Sequence, residues 1–193
     1  MYIPKSFEIK DKEQIFSFIK ENAFGQLVST HEGKIFSSHI PFLFDDEENV
    51  LLCHVAKPNP QWQDIEGQQV LVSLEGTHGY ISPSWYKDVG VPTWNYQAVH
   101  INGTAKLVHD EDKLRGMLEA LTDIYELQQE QPWKSIYNGK LIQAIVGISI
   151  DIEEVQCKFK LGQNRSDTDR LQVIEKLQKK GSIDLAKAMK DTL

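Results

Sequence analysis

Hydrophobic residues recur along the chain in two spacings, one typical of helices and one typical of strands. Residues 11–22 carry apolar side chains three or four positions apart, at Ile15, Phe18 and Ile19. This period predicts an amphipathic helix. Asp11 stands where a helix N-cap accepts a backbone hydrogen bond, with Gln14 three positions later. The first element is therefore predicted to be a short helix.

Alternation of apolar and polar residues predicts most of the other elements as strands. These strands lie at residues 25–30, 34–44, 50–56, 69–75, 98–107 and 145–152. Turn-forming residues at 31–33 and 45–49 separate the first three, which indicates an antiparallel meander. In the strand at 98–107, Val99 and Ile101 share one face and His100 lies on the other.

Three further segments have helical patterns. Residues 111–129 repeat apolar side chains every three or four positions, at Leu114, Met117, Leu118, Leu121, Ile124 and Tyr125. Residues 166–180 begin at a capping serine, Ser166, and end at Gly181, and a short helix follows at 182–190. A short helix at 61–65 has Asn59 as its cap.

Six or seven antiparallel strands with helices at the ends and in insertions predict a mainly β fold with α, built as a small barrel. The order of elements lacks βαβ alternation and a glycine-rich phosphate loop, which argues against a Rossmann domain. We expect a barrel domain at residues 1–160. Residues 161–193 are then a helical segment that packs on the barrel or contacts a partner.

The composition agrees with a single cytoplasmic domain. The chain has 193 residues, of which 40% are hydrophobic, and this is enough for one substantial core. No signal-peptide pattern or membrane-length apolar run is present, so a cytoplasmic location is expected. The two cysteines, Cys53 and Cys157, are expected to be reduced and buried. The spacing of the histidines and cysteines supports no metal site.

The charge is distributed unevenly. The formal net charge of −7 argues against a general nucleic-acid binder. Residues 158–193 nevertheless contain nine Lys and Arg against five Asp and Glu, a net of +4. This basic tail is either a solvated helical surface or a surface that approaches phosphates. Its two helices could form a helix-turn-helix with Gly181 in the turn, or simply pack on each other.

Two segments near the middle of the barrel carry candidate binding groups. Ser37 and His39 share one face of their strand, where they could contact the polar edge of a ligand or be satisfied within the barrel wall. The second segment, 54–62, has His54 at a strand end and Lys57 and Asn59 before a helix start. It could hold a phosphate, or it could be a proline-rich surface turn anchored by Trp62.

Two later segments are also candidates. Residues 80–103 concentrate tryptophans and tyrosines, and Trp94 and Asn95 could stack on a flat ring and hydrogen-bond its edge. The alternative is that these rings anchor an irregular loop to the core. Arg165, just before a helix, offers a planar guanidinium suited to phosphate or carboxylate. No nucleophile-elbow or paired-carboxylate motif is present, so catalytic residues are not assigned.

Several of these segments together resemble one known family. They are MYIPKSF at 1–7, SSHIPF at 37–42, HVAKPNPQW at 54–62, YISPSWY at 80–86, VPTWNYQAVHINGTAKL at 91–107 and KLGQNRSDTDR at 160–170. In this order they resemble the PaiB-type FMN-binding negative transcriptional regulators, from residue 1 to about residue 177. One departure is Gly162, which stands where a small polar residue is expected.

The resemblance implies a split β-barrel, usually a homodimer that binds FMN at the subunit interface. It also implies repression of extracellular protease production and of sporulation. The FMN contacts are expected among residues that the resemblance and the chemistry suggest together, namely Ser37, Ser38, His39, His54, Lys57, Asn59, Trp94, Asn95 and Arg165. One wall of the site would then come from the segment after residue 91, with His39 and His54 on the other wall, if necessary from a second subunit.

Three functions remain open at this point. The first is a regulatory FMN-binding protein, with the basic C-terminal segment as a possible DNA contact. The second is a flavin-dependent oxidoreductase or flavin reductase, in which the flavin carries the electrons and the protein positions it. The third, a haem-binding split barrel, needs an axial histidine, and nothing singles out one of the six histidines.

Overall fold

The computed structural model describes residues 1–87 and 89–193, which contain eight β-strands and five α-helices. The strands are β1 (Glu8–Ile9), β2 (Phe24–His31), β3 (Lys34–Pro41), β4 (Leu43–Asp45), β5 (Val50–Ala56), β6 (Gln69–Ile81), β7 (Thr93–Val108) and β8 (Ile145–Lys160). The helices are α1 (Lys12–Glu21), α2 (Glu111–Glu126), α3 (Gly139–Gln143), α4 (Asp167–Lys179) and α5 (Ile183–Lys190). Short 3₁₀ turns lie at Lys5–Phe7, Pro60–Asp64 and Pro83–Trp85. Residues 80–103, in which tryptophans and tyrosines are concentrated, are called the aromatic tract. Asp88, which belongs to this tract, lies outside the described residues.

The strands form one antiparallel sheet in the order β3-β2-β6-β7-β8-β5-β4, with β1 paired to β8. This arrangement confirms the predicted mainly β class with helices. The sheet does not close into a complete ring. β5 has the predicted bounds, whereas β6, β7 and β8 are longer than predicted.

The chain divides into two compact units, each built from separate stretches of sequence. Unit 1 comprises residues 1–18, 75–99 and 156–193, and unit 2 comprises residues 19–74 and 100–155. Unit 1 carries 13 Lys and Arg against 10 Asp and Glu, and unit 2 carries 8 against 18. The net charges are therefore +3 and −10, so the acidic character of the chain belongs to unit 2. The expected division at residue 160 stays a prediction.

Within unit 2, β2 and β3 form a hairpin whose register runs from Phe24↔Pro41 to His31↔Lys34. β5 pairs with β4 and with β8. The predicted meander is correct for the first two strands, whereas the predicted strand at 34–44 is divided into β3 and β4, and only β4 pairs with β5. The physical reason is a bend at Phe42, whose side chain is 1% exposed and whose N–H donates to the Ala23 carbonyl. The bend sends the chain from β3 at one edge of the sheet to β4 at the other.

Fewer apolar side chains of α2 are buried in the core than the sequence pattern of this helix predicts. Leu52, Leu114, Met117, Leu118 and Ile142 form a buried cluster in unit 2. Ile124 and Tyr125, predicted as core, are 41% and 45% exposed. The reason is that the last turn of α2 extends beyond this cluster, and the helix ends three residues earlier than predicted, at Glu126.

Unit 1 packs helices against one face of its strands. The rings of Phe18 on α1 and Phe159 on β8 lie 5.0 Å apart. A Cβ on Gly79 of β6 would lie 2.8 Å from a Leu185 methyl carbon of α5, so this glycine allows the helix to approach closely. The α4–α5 turn contains Gly181 at φ +79°, as its predicted role as a helix terminator requires.

The predicted helix caps are present. Asp11 Oδ1 accepts the Gln14 N–H at 2.8 Å, and Asn59 Oδ1 accepts the Gln61 N–H at 3.0 Å. Ser166 Oγ accepts the Asp169 N–H at 3.3 Å. Both cysteines are buried, as predicted. Each helix in the described residues is too short or too polar to cross a membrane.

Candidate functional site

The predicted Ser37–Ser38–His39 group lies on β3, an edge strand of unit 2. Ser37 and His39 are exposed and Ser38 is half-buried, so alternation places Ser37 and His39 on one face of the strand, as predicted, and Ser38 on the other. Ser37 Oγ donates to Gln26 Oε1 at 3.3 Å. The His39 ring lies 6.5 Å from the Phe24 ring, at an interplanar angle of 30°. Both exposed groups thus have neighbours on β2.

The second predicted group lies where β5 leads into the 3₁₀ turn at Pro60–Asp64. The Lys57 N–H donates to the Ala144 carbonyl at 2.8 Å, and the Lys57 carbonyl accepts from the Trp62 indole N–H at 2.9 Å. These two bonds fix the backbone at Lys57 and leave its exposed side chain at the surface. Trp62 therefore anchors the turn, as predicted by the alternative in which residues 54–62 form a proline-rich surface turn.

One hydrogen bond joins the two groups. Asn59 Nδ2 donates to Ser38 Oγ at 2.9 Å. Because the serine oxygen accepts this bond, its O–H remains a donor for another acceptor. The structure therefore brings Ser38 and Asn59 together, with Lys57 two residues before Asn59. The Ser38 hydroxyl and the Asn59 amide can both donate to an anionic oxygen, and Lys57 adds a positive charge nearby in the chain.

His54 lies three residues before Lys57, on β5 opposite Gly147 of β8. Its side chain is half-buried, and this burial lowers the pKa of the imidazole from its ordinary value of 6.5. The ring is therefore neutral near pH 7 and can either donate or accept one hydrogen bond. Such a group is suited to the polar edge of a neutral ring.

A cavity of about 330 Å³ opens beside Lys57 in unit 2. Its floor is apolar and includes Leu114, Ile142 and Ile145, and Trp62 and Glu111 also line it. The Glu111 carboxylate disfavours an anion inside this cavity.

The predicted ring-binding residues of the aromatic tract lie in unit 1. Trp94 is 55% exposed, and its ring contacts Tyr80 edge-on at 6.1 Å and His78 at 6.4 Å. Asn95 is 3% exposed, and its amide donates to the Met189 sulfur at 3.3 Å. The indole is thus open to a ligand, whereas the asparagine amide is already engaged with α5.

Arg165, the last predicted residue, is half-buried in unit 1. Its guanidinium carbon lies 4.5 Å above the Tyr86 ring, and Nη1 donates to the Val89 carbonyl at 3.4 Å. Burial is the main cause that raises the pKa of the Tyr86 phenol, and the Arg165 charge opposes it. The structure therefore places Arg165 against the aromatic tract.

Sequence reasoning missed three polar residues that the structure buries fully or in part. Gln61, fully buried, donates from Nε2 to the Leu27 carbonyl and to Ser29 Oγ, both at 2.9 Å. It connects the Pro60–Asp64 turn to β2. Lys158 and Lys160 of β8 lie beside the aromatic tract in unit 1. The alternation of CKFK at 157–160 is the one available signal, and it does not distinguish a buried lysine from a solvated one.

Comparison with known families gives a match over most of the chain. Residues 1–154 match the family described as "Putative FMN-binding domain". The match contains eight of the nine residues that sequence reasoning assigned to a cofactor; only Arg165 lies beyond it.

Two curated relatives match the chain, one over its whole length and one over part of it. The chain is 40% identical over 205 residues to the Protease synthase and sporulation protein PAI 2 of Bacillus subtilis (strain 168), covering 100% of this chain and 98% of that protein. It is 32% identical over 151 residues to the uncharacterized protein YKL070W of Saccharomyces cerevisiae, covering 64% of this chain and 89% of that protein.

Solved structures share the fold at low sequence identity. The flavocytochrome Anf3 of Azotobacter vinelandii superposes with a TM-score of 0.69 at 17% identity, covering 88% of this chain and 78% of that chain. The FAD and heme binding protein of Mycobacterium smegmatis gives a TM-score of 0.67 at 17% identity, covering 84% and 78%. These likenesses establish the predicted split-barrel architecture.

Proposed function

Because the chain belongs to this FMN-binding domain family, we propose that it binds FMN and acts as a regulatory protein of the PaiB type. The observation that carries the proposal is the family match over residues 1–154, together with the 40% identity to PAI 2 along the full length. The Ser38–Asn59 hydrogen bond supports it, because it joins two of the segments in which cofactor contacts were predicted.

The proposed FMN site uses the residues of unit 2 for the polar parts of the cofactor. Lys57 binds the phosphate by charge, and the Ser38 O–H donates to a phosphate or ribityl oxygen. His39 and His54 accept from or donate to polar atoms of the ring system. Asn59 holds Ser38 in place through their hydrogen bond, and Ser37, on the opposite face of β3, is held by its bond to Gln26.

Unit 1 carries a candidate contact of its own for a flat ring, in its part of the aromatic tract. Trp94 presents an exposed ring for offset stacking on a flat cofactor. Asn95 lies on the opposite face of β7 from Trp94, where its amide is bonded to Met189, so its proposed contribution is to position the strand. Arg165 orders the tract by stacking on Tyr86. When bound, FMN supplies a redox-active ring, and the protein supplies position and polarity.

The direct test is to identify the ligand of the purified protein. We expect a yellow protein with a flavin absorption spectrum, and we expect denaturation to release a compound with the mass of FMN. Addition of FMN to flavin-free protein should restore the spectrum at one equivalent per chain. If neither purified nor FMN-supplemented protein shows bound flavin, the proposed function is wrong.

The regulatory part of the proposal is negative control of protease production and sporulation; the name of the PAI 2 relative mentions these two processes, and the negative sign is what the resemblance to PaiB-type regulators implies. The protein would act as a homodimer with flavin at the interface, and the basic residues 158–193 are the proposed DNA contact. Mass in solution tests the dimer. Binding to promoter fragments tests direct repression, because specific complexes persist at salt concentrations that remove nonspecific ones. Weak binding that is independent of sequence would favour indirect control.

The alternative is a flavin-dependent oxidoreductase or flavin reductase on the same fold. The two functions differ in turnover. Repeated oxidation of NADH or NADPH by the FMN-loaded protein, with a matching reduction of flavin or another acceptor, would favour the enzyme. A flavin that stays oxidised in the presence of both nucleotides would favour the regulatory function.

A further inference from the structure

Two lysines of unit 1 lie side by side without an acidic partner among the described residues. Lys158 and Lys160 are two positions apart on β8 and so share one face of the strand. Lys158 is 8% exposed, and its ammonium donates to the Tyr2 carbonyl at 3.0 Å. The Lys160 ammonium donates to the Trp94 carbonyl and to Thr93 Oγ1. Within residues 1–87 and 89–193, neither ammonium forms a salt bridge.

Aromatic side chains share this face of the sheet with the two lysines. The Lys158 ammonium lies 5.2 Å from the centre of the Tyr96 ring. Trp94 is two residues before Tyr96 on β7, so its indole projects from that face too. Tyr80 of β6 contacts the indole. We call Lys158, Lys160, Trp94, Tyr96 and Tyr80 the lysine–aromatic cluster.

The helices of unit 1 pack on the opposite face of the same strands. Phe159, between the two lysines, contacts Phe18 of α1. Asn95, between the two aromatic residues of β7, contacts Met189 of α5. The cluster therefore lies on the other face, where Trp94 and Tyr80 are 55% and 46% exposed.

Two like charges that lie close together and are partly shielded from water repel each other, and a bound anion would compensate them. Burial, and secondarily the charge of Lys158, lower the pKa of Lys160, which is the response expected of an uncompensated pair. Each ammonium has three N–H donors. Lys158 uses one on Tyr2 and Lys160 uses two, so the pair keeps about three donors for a bound anion.

We propose that the lysine–aromatic cluster binds a small planar aromatic carboxylate. The carboxylate accepts hydrogen bonds from Lys160 and neutralises both ammonium groups, and its ring stacks on the exposed indole of Trp94. A carboxylate fits better than a phosphate, because two oxygens match the few remaining donors. Unit 1 carries a net charge of +3, which attracts the anion. The proposed site shares Trp94 with the proposed FMN contacts, and its two lysines are not assigned to FMN.

The test is calorimetric titration of flavin-free protein with 2-naphthoate. Two further compounds test the two parts of this ligand separately. 2-Naphthol has the ring without the charge, and acetate has the charge without the ring. We expect saturable binding of 2-naphthoate at one site per chain, and at least about tenfold weaker binding of the other two. Equal binding of 2-naphthol and 2-naphthoate, or no binding of 2-naphthoate, would overturn the proposal.

Substitutions in the lysine–aromatic cluster test whether its residues form the binding site. Lys160→Met should weaken 2-naphthoate at least about tenfold, and Lys158→Met about threefold, because Lys158 acts mainly through its charge. Lys187→Met, an exposed lysine of α5, is the matched control and should leave the affinity unchanged. Unchanged affinity in both cluster variants would overturn the assignment. If either variant fails to fold, Trp94→Leu retains both lysines and should remove the advantage of 2-naphthoate over acetate.

FMN titrations separate this proposal from the proposed function. If FMN fails to bind the wild-type protein, the 2-naphthoate result still decides whether the cluster is a site. If Lys158→Met and Lys160→Met lose FMN while the wild type does not bind 2-naphthoate, the cluster belongs to the flavin site and the proposal is wrong.

Discussion

Asn59 and Ser38 are 21 residues apart in the chain, and the Asn59 side-chain amide donates a 2.9 Å hydrogen bond to the Ser38 hydroxyl oxygen. The same asparagine caps the Pro60–Asp64 turn by accepting from Gln61. The Asn59 side chain thus fixes the edge strand β3 and the start of the Pro60–Asp64 turn relative to each other. Two predicted binding segments are thereby positioned relative to each other within unit 2.

The Ser38–Asn59 bond is expected to be measurable as a coupling energy. Ser38→Ala and Asn59→Ala should each lower the free energy of unfolding, and the double variant should lose less than the sum of the two. The difference is expected to be about 0.5–1.5 kcal/mol, the net value of one hydrogen bond. Urea unfolding of the four proteins measures it. Additive losses would mean that the bond contributes nothing in solution.

Lys57→Ala should discriminate between FMN and riboflavin. If Lys57 binds the phosphate, its removal weakens FMN about tenfold, or ~1.4 kcal/mol, and leaves riboflavin unchanged. Fluorescence titration of flavin-free protein with each ligand measures both affinities. Lys140→Ala, an exposed lysine of α3, serves as the control. Equal weakening of both ligands would exclude a phosphate contact.

His54 should make stability depend on pH below neutrality. Its pKa in the folded protein lies below the ordinary value of 6.5, because burial disfavours the charged ring. Between these two values the unfolded chain binds more protons than the folded one, so the free energy of unfolding falls as the pH falls. His54→Gln should reduce this slope. NMR titration of the His54 ring checks the cause, and a midpoint at or above 6.5 would contradict it.

Gly103 should not tolerate a side chain. A Cβ at this position of β7 would lie 2.2 Å from the Asp151 carbonyl oxygen on β8, and backbone atoms cannot yield as a flexible side chain does. Gly103→Ala is expected to cost about 1–3 kcal/mol. Gly116→Ala is the matched control, since its Cβ would meet nothing within 4 Å and α2 would gain about 0.5–1 kcal/mol. Thermal unfolding of both variants measures the contrast.

Local features of the fold could be predicted because local residues determine them. Asp11, Asn59 and Ser166 cap their helices as their side-chain chemistry indicates. In β7, Val99 and Ile101 are fully buried and His100 is half-buried, as alternation predicts. These elements need only neighbouring residues in the chain to be recognised.

Features set by distant residues could not be predicted. The first half of β7 has no clear signal because Thr93, Trp94 and Asn95 do not alternate simply in polarity, and their environment comes from α5 and β8. Each of the two units is built from separate stretches of sequence, and no local pattern predicts this division either. In the candidate site, the segments containing Ser38 and Asn59 could be recognised, but their contact could not. The buried state of Lys158 depends on Tyr2 and Tyr96, which are far away in sequence.

The bend at Phe42 also constrains the order in which unit 2 can fold. A chain that assembles by successive hairpins needs only short loops, and β2–β3 can form in this way. β5, however, completes its pairing with β8 only when Val50 meets Asp151, after most of the chain has been synthesised. Closing so long a loop costs entropy before any contact compensates it, so folding is expected to be slow, on the order of milliseconds to seconds. Until β8 arrives, β5 has an unpaired edge, and this is the period in which the nascent protein is most exposed to aggregation.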